Sequence, residues 1–279
     1  MIAPLPTAAP VTEIELQLLL EAVYRFSGYD FREYAPAFVK RRVAERMRAE
    51  GQRTISALQE RVLHDGDALD RFIYGLSSKN AELFDEPSFF AELRRNIMPM
   101  LRTYPFVRVW DVGCGRGEET YSLSILLREE GLYRRCRVYA TDVSPAAIVA
   151  AKEGRIHPET LDGAFRRYRE SGGRDSLEDY ISFEGESAAI DRTLRENVVF
   201  STHNLVSDGS FNEFHLIVCR DVLPQYSKSL SFRAHQVIFE SLSRGGYLAL
   251  GPSESVRFAP HQRCFERASE TEQLHRRIR

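Results

Sequence analysis

The chain has 279 residues, of which 43% are hydrophobic and 28% charged, and its formal net charge is -2 at pH 7. This balance is typical of a globular protein with a sizeable core. The small net charge excludes a global attraction to nucleic acid or to a membrane surface, and no stretch is apolar enough to cross a bilayer. The four cysteines include no Cys-x-x-Cys pair, which predicts buried thiols in a cytoplasmic protein.

Four helical patterns follow a short tail rich in proline and alanine. The first runs from Thr12, a predicted N-cap, to about Phe26, and its acidic residues exclude a signal peptide. The second begins near Pro36 and carries the basic run KRRVAERMR, the third begins after a cap at Thr54, and the fourth is DALDRFIYGLSS. Together these patterns predict a small all-helical domain over residues 1–78.

Beyond the helical region, short β-rich runs alternate with helical patterns. The runs are VRVWDV, CRVYATDV, NVVFSTHNL, FHLIVCR and GYLALG. Such apolar runs are typical of strands buried in a parallel sheet, and their alternation with helices indicates βαβ units. A polar stretch at about 155–195 interrupts the alternation and predicts an insertion with a short antiparallel element. The sequence therefore predicts an α/β fold with a doubly wound sheet in a second domain, residues 79–279.

A glycine turn directly after the first strand-like run indicates a ligand site. It contains Gly113, Gly115 and Gly117 and is followed by Glu118 and Glu119 at the start of a predicted helix. Glycines at this spacing let the backbone approach a bound nucleotide at the carboxyl end of a strand. Two carboxylates at the helix N-terminus would repel a diphosphate, and this repulsion disfavours an NAD-linked oxidoreductase.

S-adenosylmethionine fits the glycine turn better, because it has no phosphate. Glu118 can hold its α-ammonium group, and Asp142, at the end of the next strand-like run, can accept hydrogen bonds from both ribose hydroxyls. An alternative stays open for Glu118 and Glu119, whose only role would then be a favourable interaction with the helix dipole. The histidines and cysteines have no metal-ligand spacing, so no metal site is predicted.

Several longer stretches resemble the CheR-type chemotaxis receptor methyltransferases, which are protein-glutamate O-methyltransferases. The matching pieces are FDEPSFF, WDVGCGRGEETYSLSILLREEGL, YATDVSPAAIVAAKEGRI, NVVFSTHNLVSDGSFNEFHLIVCRDVL and GPSESVRF. The resemblance implies a helical N-terminal domain, then a Rossmann-like methyltransferase domain with a small inserted β-subdomain. It also implies S-adenosylmethionine as cofactor and S-adenosylhomocysteine as product. The residues that it places around the cofactor are Glu118, Asp142, Asn204, Leu205 and Arg220.

The chain departs from the family where the substrate is expected to be positioned. The family usually has Thr-x-x-Phe-Arg where this chain has AELFD, so Ala81 and Asp85 replace the threonine and the arginine. Where the family has CRNVLIYFD, this chain has CRDVLPQYS, so Asp221 and Gln225 replace an asparagine and a tyrosine. Where the family has CSTGEE, this chain has CGRGEE. An incoming glutamate carboxylate would meet the negative Asp85, and a lost charge-assisted contact costs about 1.5–3 kcal/mol.

Two functions remain open. The first is S-adenosylmethionine-dependent O-methylation of protein glutamate carboxylates, with activity reduced or altered by these departures. The second is a catalytically degenerate regulator that binds the cofactor or a signalling partner without turnover. The resemblance implies an acidic protein or a receptor cytoplasmic helix as partner, and the run from Lys40 to Arg48 predicts its docking surface unless it is only a solvated helical face. This basic run lacks interleaved aromatic residues, so nucleic-acid binding is not predicted.

Overall fold

A computed structural model of the chain describes residues 11–77, 81–185 and 187–279. The chain forms two compact units. One is helical and contains the residues up to Leu76 together with Gln225–Ser227, and the other contains Ser77–Pro224 and Lys228–Arg279. The predicted N-terminal tail and the predicted domain boundary between residues 78 and 79 lie outside the described residues.

Within the described residues, the helical unit contains four helices. They are α1 (Val11–Ser27), α2 (Pro36–Ala49), α3 (Ile55–His64) and α4 (Gly66–Ser77). Their apolar faces bury side chains such as Leu19, Leu58 and Phe72. The predicted cap of α3 is confirmed, because the side chain of Thr54 accepts a hydrogen bond from the Ala57 N–H. The predicted N-cap at Thr12 is wrong, since α1 already includes Val11.

The larger unit alternates helices and strands, as the sequence predicted. Its helices are α5 (Pro87–Glu92), α6 (Met98–Leu101), α7 (Glu118–Glu129), α8 (Pro145–Glu153), α9 (Leu161–Glu170) and α10 (Lys228–Ser241). Its strands are β1 (Val107–Val112), β2 (Cys136–Asp142), β3 (Arg155–Ile156), β4 (Ile181–Glu184), β5 (Ser187–Ile190), β6 (Val198–Thr202), β7 (Phe214–Cys219), β8 (Leu242–Leu250), β9 (Phe265–Arg267) and β10 (Leu274–Arg277).

Within the described residues, the main sheet has seven strands in the order β6-β2-β1-β7-β8-β10-β9. The first five strands in this order pair in parallel, and the predicted doubly wound sheet is confirmed. Strand β10 pairs antiparallel with both β8 and β9. Strands β2 and β6 lie on one side of β1, and β7 and β8, which come later in the chain, lie on its other side. A crevice therefore opens at the carboxyl ends of β1 and β7, where ligands bind in folds of this kind.

A second, three-stranded antiparallel sheet occupies the stretch predicted to be an insertion, with the order β3-β5-β4. The two ends of this insertion lie side by side. The Ile190 N–H donates to the carbonyl of Gly154 at 2.8 Å, and Arg195 donates to the carbonyls of Glu153 and Ile190 at 2.9 and 3.0 Å. The insertion thus leaves and rejoins the main domain at nearly the same place.

Two buried histidines make the larger unit sensitive to acid. Burial lowers the pKa of His235 on α10 and of His275 on β10 from 6.5 to about 4, because a charged imidazolium there loses its hydration. Between pH 6.5, the ordinary pKa of an unfolded histidine, and about pH 4, the pKa in the folded protein, the unfolded chain binds more protons than the folded one. The free energy of unfolding therefore falls as the pH falls. The expected loss is on the order of 1–2 kcal/mol per histidine at about pH 5.

We expect the variant His235→Gln to lose less stability than the wild type between about pH 7.5 and about pH 5. Urea titrations at the two pH values measure this difference through the fluorescence of Trp110, which is the single tryptophan and is buried in β1. Equal losses in the two proteins would contradict the assignment of the acid sensitivity to His235.

Candidate cofactor site and adjoining cleft

The glycine turn lies in the crevice at the carboxyl end of β1. The N–H groups of Gly113 and Cys114 donate to the Thr141 carbonyl at 2.8 and 2.9 Å, which fixes the turn to the end of β2. Gly113 has a φ of 69°, and a Cβ there would lie 2.7 Å from Cγ2 of Val222. Gly117, with a φ of 93°, has a Tyr121 ring carbon 2.9 Å from the position of a Cβ. Both the backbone conformation and the space therefore require glycine.

Asp142 is buried at the end of β2 and braces this turn. One carboxylate oxygen accepts a hydrogen bond from the Gly115 N–H at 3.0 Å, and the other accepts from the Ser144 N–H at 2.9 Å. Ser144 caps α8, since its hydroxyl accepts a hydrogen bond from the Ala147 N–H at 3.3 Å. Asp142 thus joins the glycine turn to the start of α8 and lies at the edge of the sheet where a ribose is expected.

The two adjacent glutamates at the start of α7 differ in their surroundings. Glu118 is half-buried, whereas Glu119 is buried with 5% of its surface exposed. An oxygen of Glu119 accepts a hydrogen bond from Nη1 of Arg220 at 2.8 Å. The idea that Glu119 only interacts with the helix dipole is therefore wrong, because this carboxylate forms a buried ion pair with a residue at the end of β7.

Arg220 is held by two glutamates. Its Nη1 donates to Glu119 and its Nη2 donates to Glu86, while its guanidinium carbon lies 4.0 Å from the centre of the Phe89 ring. Burial by itself lowers the pKa of Arg220, but the charges of Glu119 and Glu86 outweigh this effect and raise it. Only 3% of the surface of Arg220 is exposed. Its guanidinium therefore interacts mainly with protein groups.

A small cleft of about 30 Å³ opens beside Arg220 and has room for a functional group but not for a whole cofactor. Its lining comprises Ala81, Glu82, Asp85, Glu86, Phe90, Glu119, Arg220 and Asp221. Arg167 pairs with Glu82, and Arg220 pairs with both Glu86 and Glu119. Within the described part of the chain, Asp85 forms no ion pair and is exposed. The structure thus brings Ala81, Asp85 and Asp221, three of the departures from the family pattern, to one acidic cleft.

Among the described residues, three that are not glycine have left-handed backbone conformations: Glu86 and Asp221, which line this cleft, and Phe84, which precedes Asp85 in the chain. The φ angles of Phe84, Glu86 and Asp221 are 54°, 56° and 60°. Such conformations cost of order 1 kcal/mol or more each and concentrate at functional sites. Glu254 holds the turn at Asp221: it is 5% exposed, and its carboxylate accepts hydrogen bonds from the N–H groups of residues 221, 222, 223 and 251.

We expect the variant Glu254→Gln to lower the free energy of unfolding by about 2–4 kcal/mol. The amide oxygen of glutamine can replace only one of the two acceptor oxygens, and its NH₂ group would face backbone donors that then lack a partner. Urea denaturation followed by Trp110 fluorescence measures the loss, with Glu270→Gln, an exposed glutamate of the same unit, as control. A loss no larger than that of the control would show that the turn does not depend on Glu254.

Asn204 and Leu205 follow β6 at the same edge of the sheet. The Asn204 side-chain oxygen accepts from the Val206 N–H at 3.1 Å, and Leu205 is buried. The preceding residue, His203, donates its N–H to the Asp142 carbonyl at 3.0 Å, which connects this loop to the end of β2. The loop is thus next to Asp142, and its contact with an adenine stays a prediction.

Gln225 does not line the cleft; it is grouped with the helical unit. Its carbonyl accepts from the Ala35 N–H at 2.9 Å, and the neighbouring Tyr226 ring packs edge-on against Tyr34 with 5.1 Å between the ring centres. A role for Gln225 beside Asp85 stays a prediction. In the described residues no group of His, Cys, Asp and Glu side chains is arranged to hold a metal ion, and no helix there has the length and apolarity to cross a membrane.

Two family models together match almost the whole chain. "CheR methyltransferase, all-alpha domain" matches residues 14–77, and "CheR methyltransferase, SAM binding domain" matches residues 79–273. The chain belongs to the CheR methyltransferase family. The resemblance found in the sequence is thereby confirmed, together with the two-domain fold class and S-adenosylmethionine as the cofactor of the family's larger domain.

The chain also aligns with several named relatives over most of the length of each. The "Putative methyltransferase Cher3" of Pseudomonas putida is 42% identical over 255 residues, which are 91% of this chain and 93% of the relative. The "Chemotaxis protein methyltransferase" of Listeria monocytogenes is 26% identical over 249 residues, or 88% of this chain and 92% of the relative. A "Chemotaxis protein methyltransferase 1" of Pseudomonas aeruginosa is 26% identical over 234 residues, 80% and 83% of the two chains.

Proposed function

We propose that this CheR-family chain transfers the methyl group of S-adenosylmethionine to a side-chain carboxylate of a receptor protein. The observation that carries the proposal is the glycine turn in the crevice at the end of β1, tied by Gly115 to the buried Asp142. Glycines at this spacing let the backbone approach a ligand closely, and the acids beside the turn suit a ligand without phosphate.

The residues around the crevice have separate tasks in this proposal. Glu118 holds the α-ammonium group of the cofactor, Asp142 accepts from the ribose hydroxyls, and Asn204 with Leu205 borders the adenine. S-adenosylmethionine, when bound, supplies a methyl group on a sulfonium that a carboxylate oxygen displaces in line. Because alignment supplies most of the rate in such a displacement, the protein has to orient the two reactants and needs no general base for a carboxylate that is already ionised.

The acidic cleft slows this reaction for a carboxylate acceptor. Asp85 is exposed in the cleft and carries the same charge as the incoming group, so the acceptor loses a favourable contact and meets repulsion. We therefore propose slow methylation of receptor glutamates. Binding of the cofactor without any turnover, as in a regulatory protein, is the alternative result of the same assay.

An acidic receptor helix is the proposed partner, and α2 supplies the basic surface. Lys40, Arg41 and Arg48 are exposed on this helix. Arg42 and Arg46 are partly buried and interact with glutamates of the same helical unit, Glu45 and Glu50. The exposed cations would attract an acidic helix, and this attraction weakens as salt is added.

Calorimetric titration with S-adenosylhomocysteine tests the cofactor site, and radiolabelled methyl incorporation into a receptor fragment tests the transfer. We expect wild-type protein to bind the ligand and Asp142→Asn to weaken binding by about 1–3 kcal/mol, because the amide loses charge-assisted contacts with the ribose and with the Gly115 N–H. Asp162→Asn, on the exposed face of α9, is the control. Absence of binding by the wild type at millimolar ligand would refute the cofactor site.

A further inference from the structure

Arg116 lies inside the glycine turn, between Gly115 and Gly117. It is half-buried, and its Nη2 lies 2.8 Å from Nε2 of His157, the residue after β3. A guanidinium can only donate, so the ring nitrogen is the acceptor in this contact. Within the described residues, Arg116 forms no ion pair with a carboxylate. Its positive charge is therefore not neutralised by the protein at the edge of the sheet where the cofactor is expected.

The position of Arg116 is unfavourable for the helix that follows. It precedes Gly117, the N-cap of α7, where the helix dipole disfavours a cation. No carboxylate of the described residues offsets this cost by pairing with the guanidinium. A negatively charged ligand group at the same place would offset it, since the N-terminal N–H groups of α7 and the guanidinium would both interact with that group.

S-adenosylmethionine brings such a group. Its α-carboxylate and its α-ammonium are attached to the same carbon, so the protein groups that bind them must be close neighbours. Glu118, the proposed partner of the ammonium, is two residues from Arg116. Arg220, a buried cation near the turn, is already held by Glu86 and Glu119.

We propose that Arg116 binds the α-carboxylate of S-adenosylmethionine. This inference rests on the proposed cofactor site. His157 acts as a positioning residue, because its Nε2 accepts from Nη2 of Arg116 and orients the guanidinium. The turn then binds both charged groups of the cofactor's amino acid part: Arg116 binds the carboxylate and Glu118 binds the ammonium.

A matched pair of ligands tests the contact without any turnover. S-adenosylhomocysteine has the carboxylate, and its decarboxylated analogue, S-adenosyl-3-thiopropylamine, differs only in lacking it. We expect wild-type protein to bind S-adenosylhomocysteine roughly ten- to hundredfold more tightly than the analogue in calorimetric titrations. In Arg116→Ala this preference should fall to about threefold or less, because only the ligand with a carboxylate loses a partner. Arg116→Lys should retain part of the preference, since it keeps the charge but loses the planar fork.

Arg155→Ala is the control for charge. Arg155 lies on β3, its side chain is 76% exposed, and it pairs with Glu153, so this variant removes one positive charge nearby while the turn stays intact. It should keep the wild-type preference between the two ligands. Equal weakening of both ligands in Arg116→Ala, or no preference in the wild type, would overturn the role of Arg116 and leave the cofactor site standing. Failure of the wild type to bind either ligand would overturn both proposals.

Discussion

Replacing Asp85 by arginine is expected to raise methyl transfer to a glutamate-containing receptor fragment by roughly ten- to hundredfold. The change removes a like charge from the cleft and adds a donor fork that suits a carboxylate, and a charge-assisted contact is worth about 1.5–3 kcal/mol. Since Asp85 is exposed and forms no ion pair in the described part of the chain, its removal breaks no such contact. Radiolabelled methyl incorporation by the wild type and the variant measures the effect.

Asp85→Asn separates the two contributions to this gain. It removes the negative charge without adding a donor fork, so its activity should lie between those of the wild type and Asp85→Arg. Titration of each variant with S-adenosylhomocysteine shows whether a change in rate comes from cofactor binding. Brisk wild-type activity that falls in Asp85→Arg would mean that Asp85 belongs to a working site with different substrate requirements.

Arg220→Met should be the most destabilising of the substitutions considered. It leaves the buried carboxylate of Glu119 without its cation, and loss of one partner of a buried ion pair costs about 3–5 kcal/mol. The side chain of Glu119 is 6% exposed, whereas that of Glu86, the second partner, is 39% exposed and can be hydrated by water. Urea denaturation followed through Trp110 reports on the unit that contains this pair.

The double variant Glu119→Gln with Arg220→Met tests whether the cost arises from an unpaired charge. Once the carboxylate is neutral, Arg220→Met should cost much less than it does alone, because the amide is easier to bury than an anion. Glu86→Gln should have a small effect, as expected for a partly exposed partner. Purely additive losses from the two single changes would contradict a coupled buried pair.

The features that depend on a few neighbouring residues could be predicted from the sequence. The glycine turn and the cap at Thr54 are examples, because the first depends on local backbone conformation and the second on one short-range hydrogen bond. The five parallel strands were also recognisable, since each is a short apolar run. By contrast, β9 and β10 carry charged residues with little apolar alternation, and the pairing of β10 with β8 and of β9 with β10, rather than a local pattern, makes them strands.

The contacts that define the cleft could not be predicted in the same way. Glu119 and Arg220 are 101 residues apart, and no local signal shows that one is the partner of the other. The left-handed conformation of Glu86 likewise has no sequence signature, because glycine is the residue expected there. Asp85 was singled out only because it departs from a family pattern, and the acidic surroundings that give the departure its meaning come from residues distant in the sequence.

The insertion leaves and rejoins the main domain at nearly the same place, and this affects how the chain folds and which changes in sequence it tolerates. Strands β2 and β6 are neighbours in the sheet but are separated by the whole stretch from α8 to the insertion. Because loop-closure entropy grows only with the logarithm of length, a longer excursion adds little to the free energy of joining them. Because a hydrogen bond joins Gly154 and Ile190 where the insertion meets the main domain, the insertion can change in length or composition while β2 and β6 keep their register. The three-stranded sheet is thus a part of this fold that can be exchanged at low thermodynamic cost.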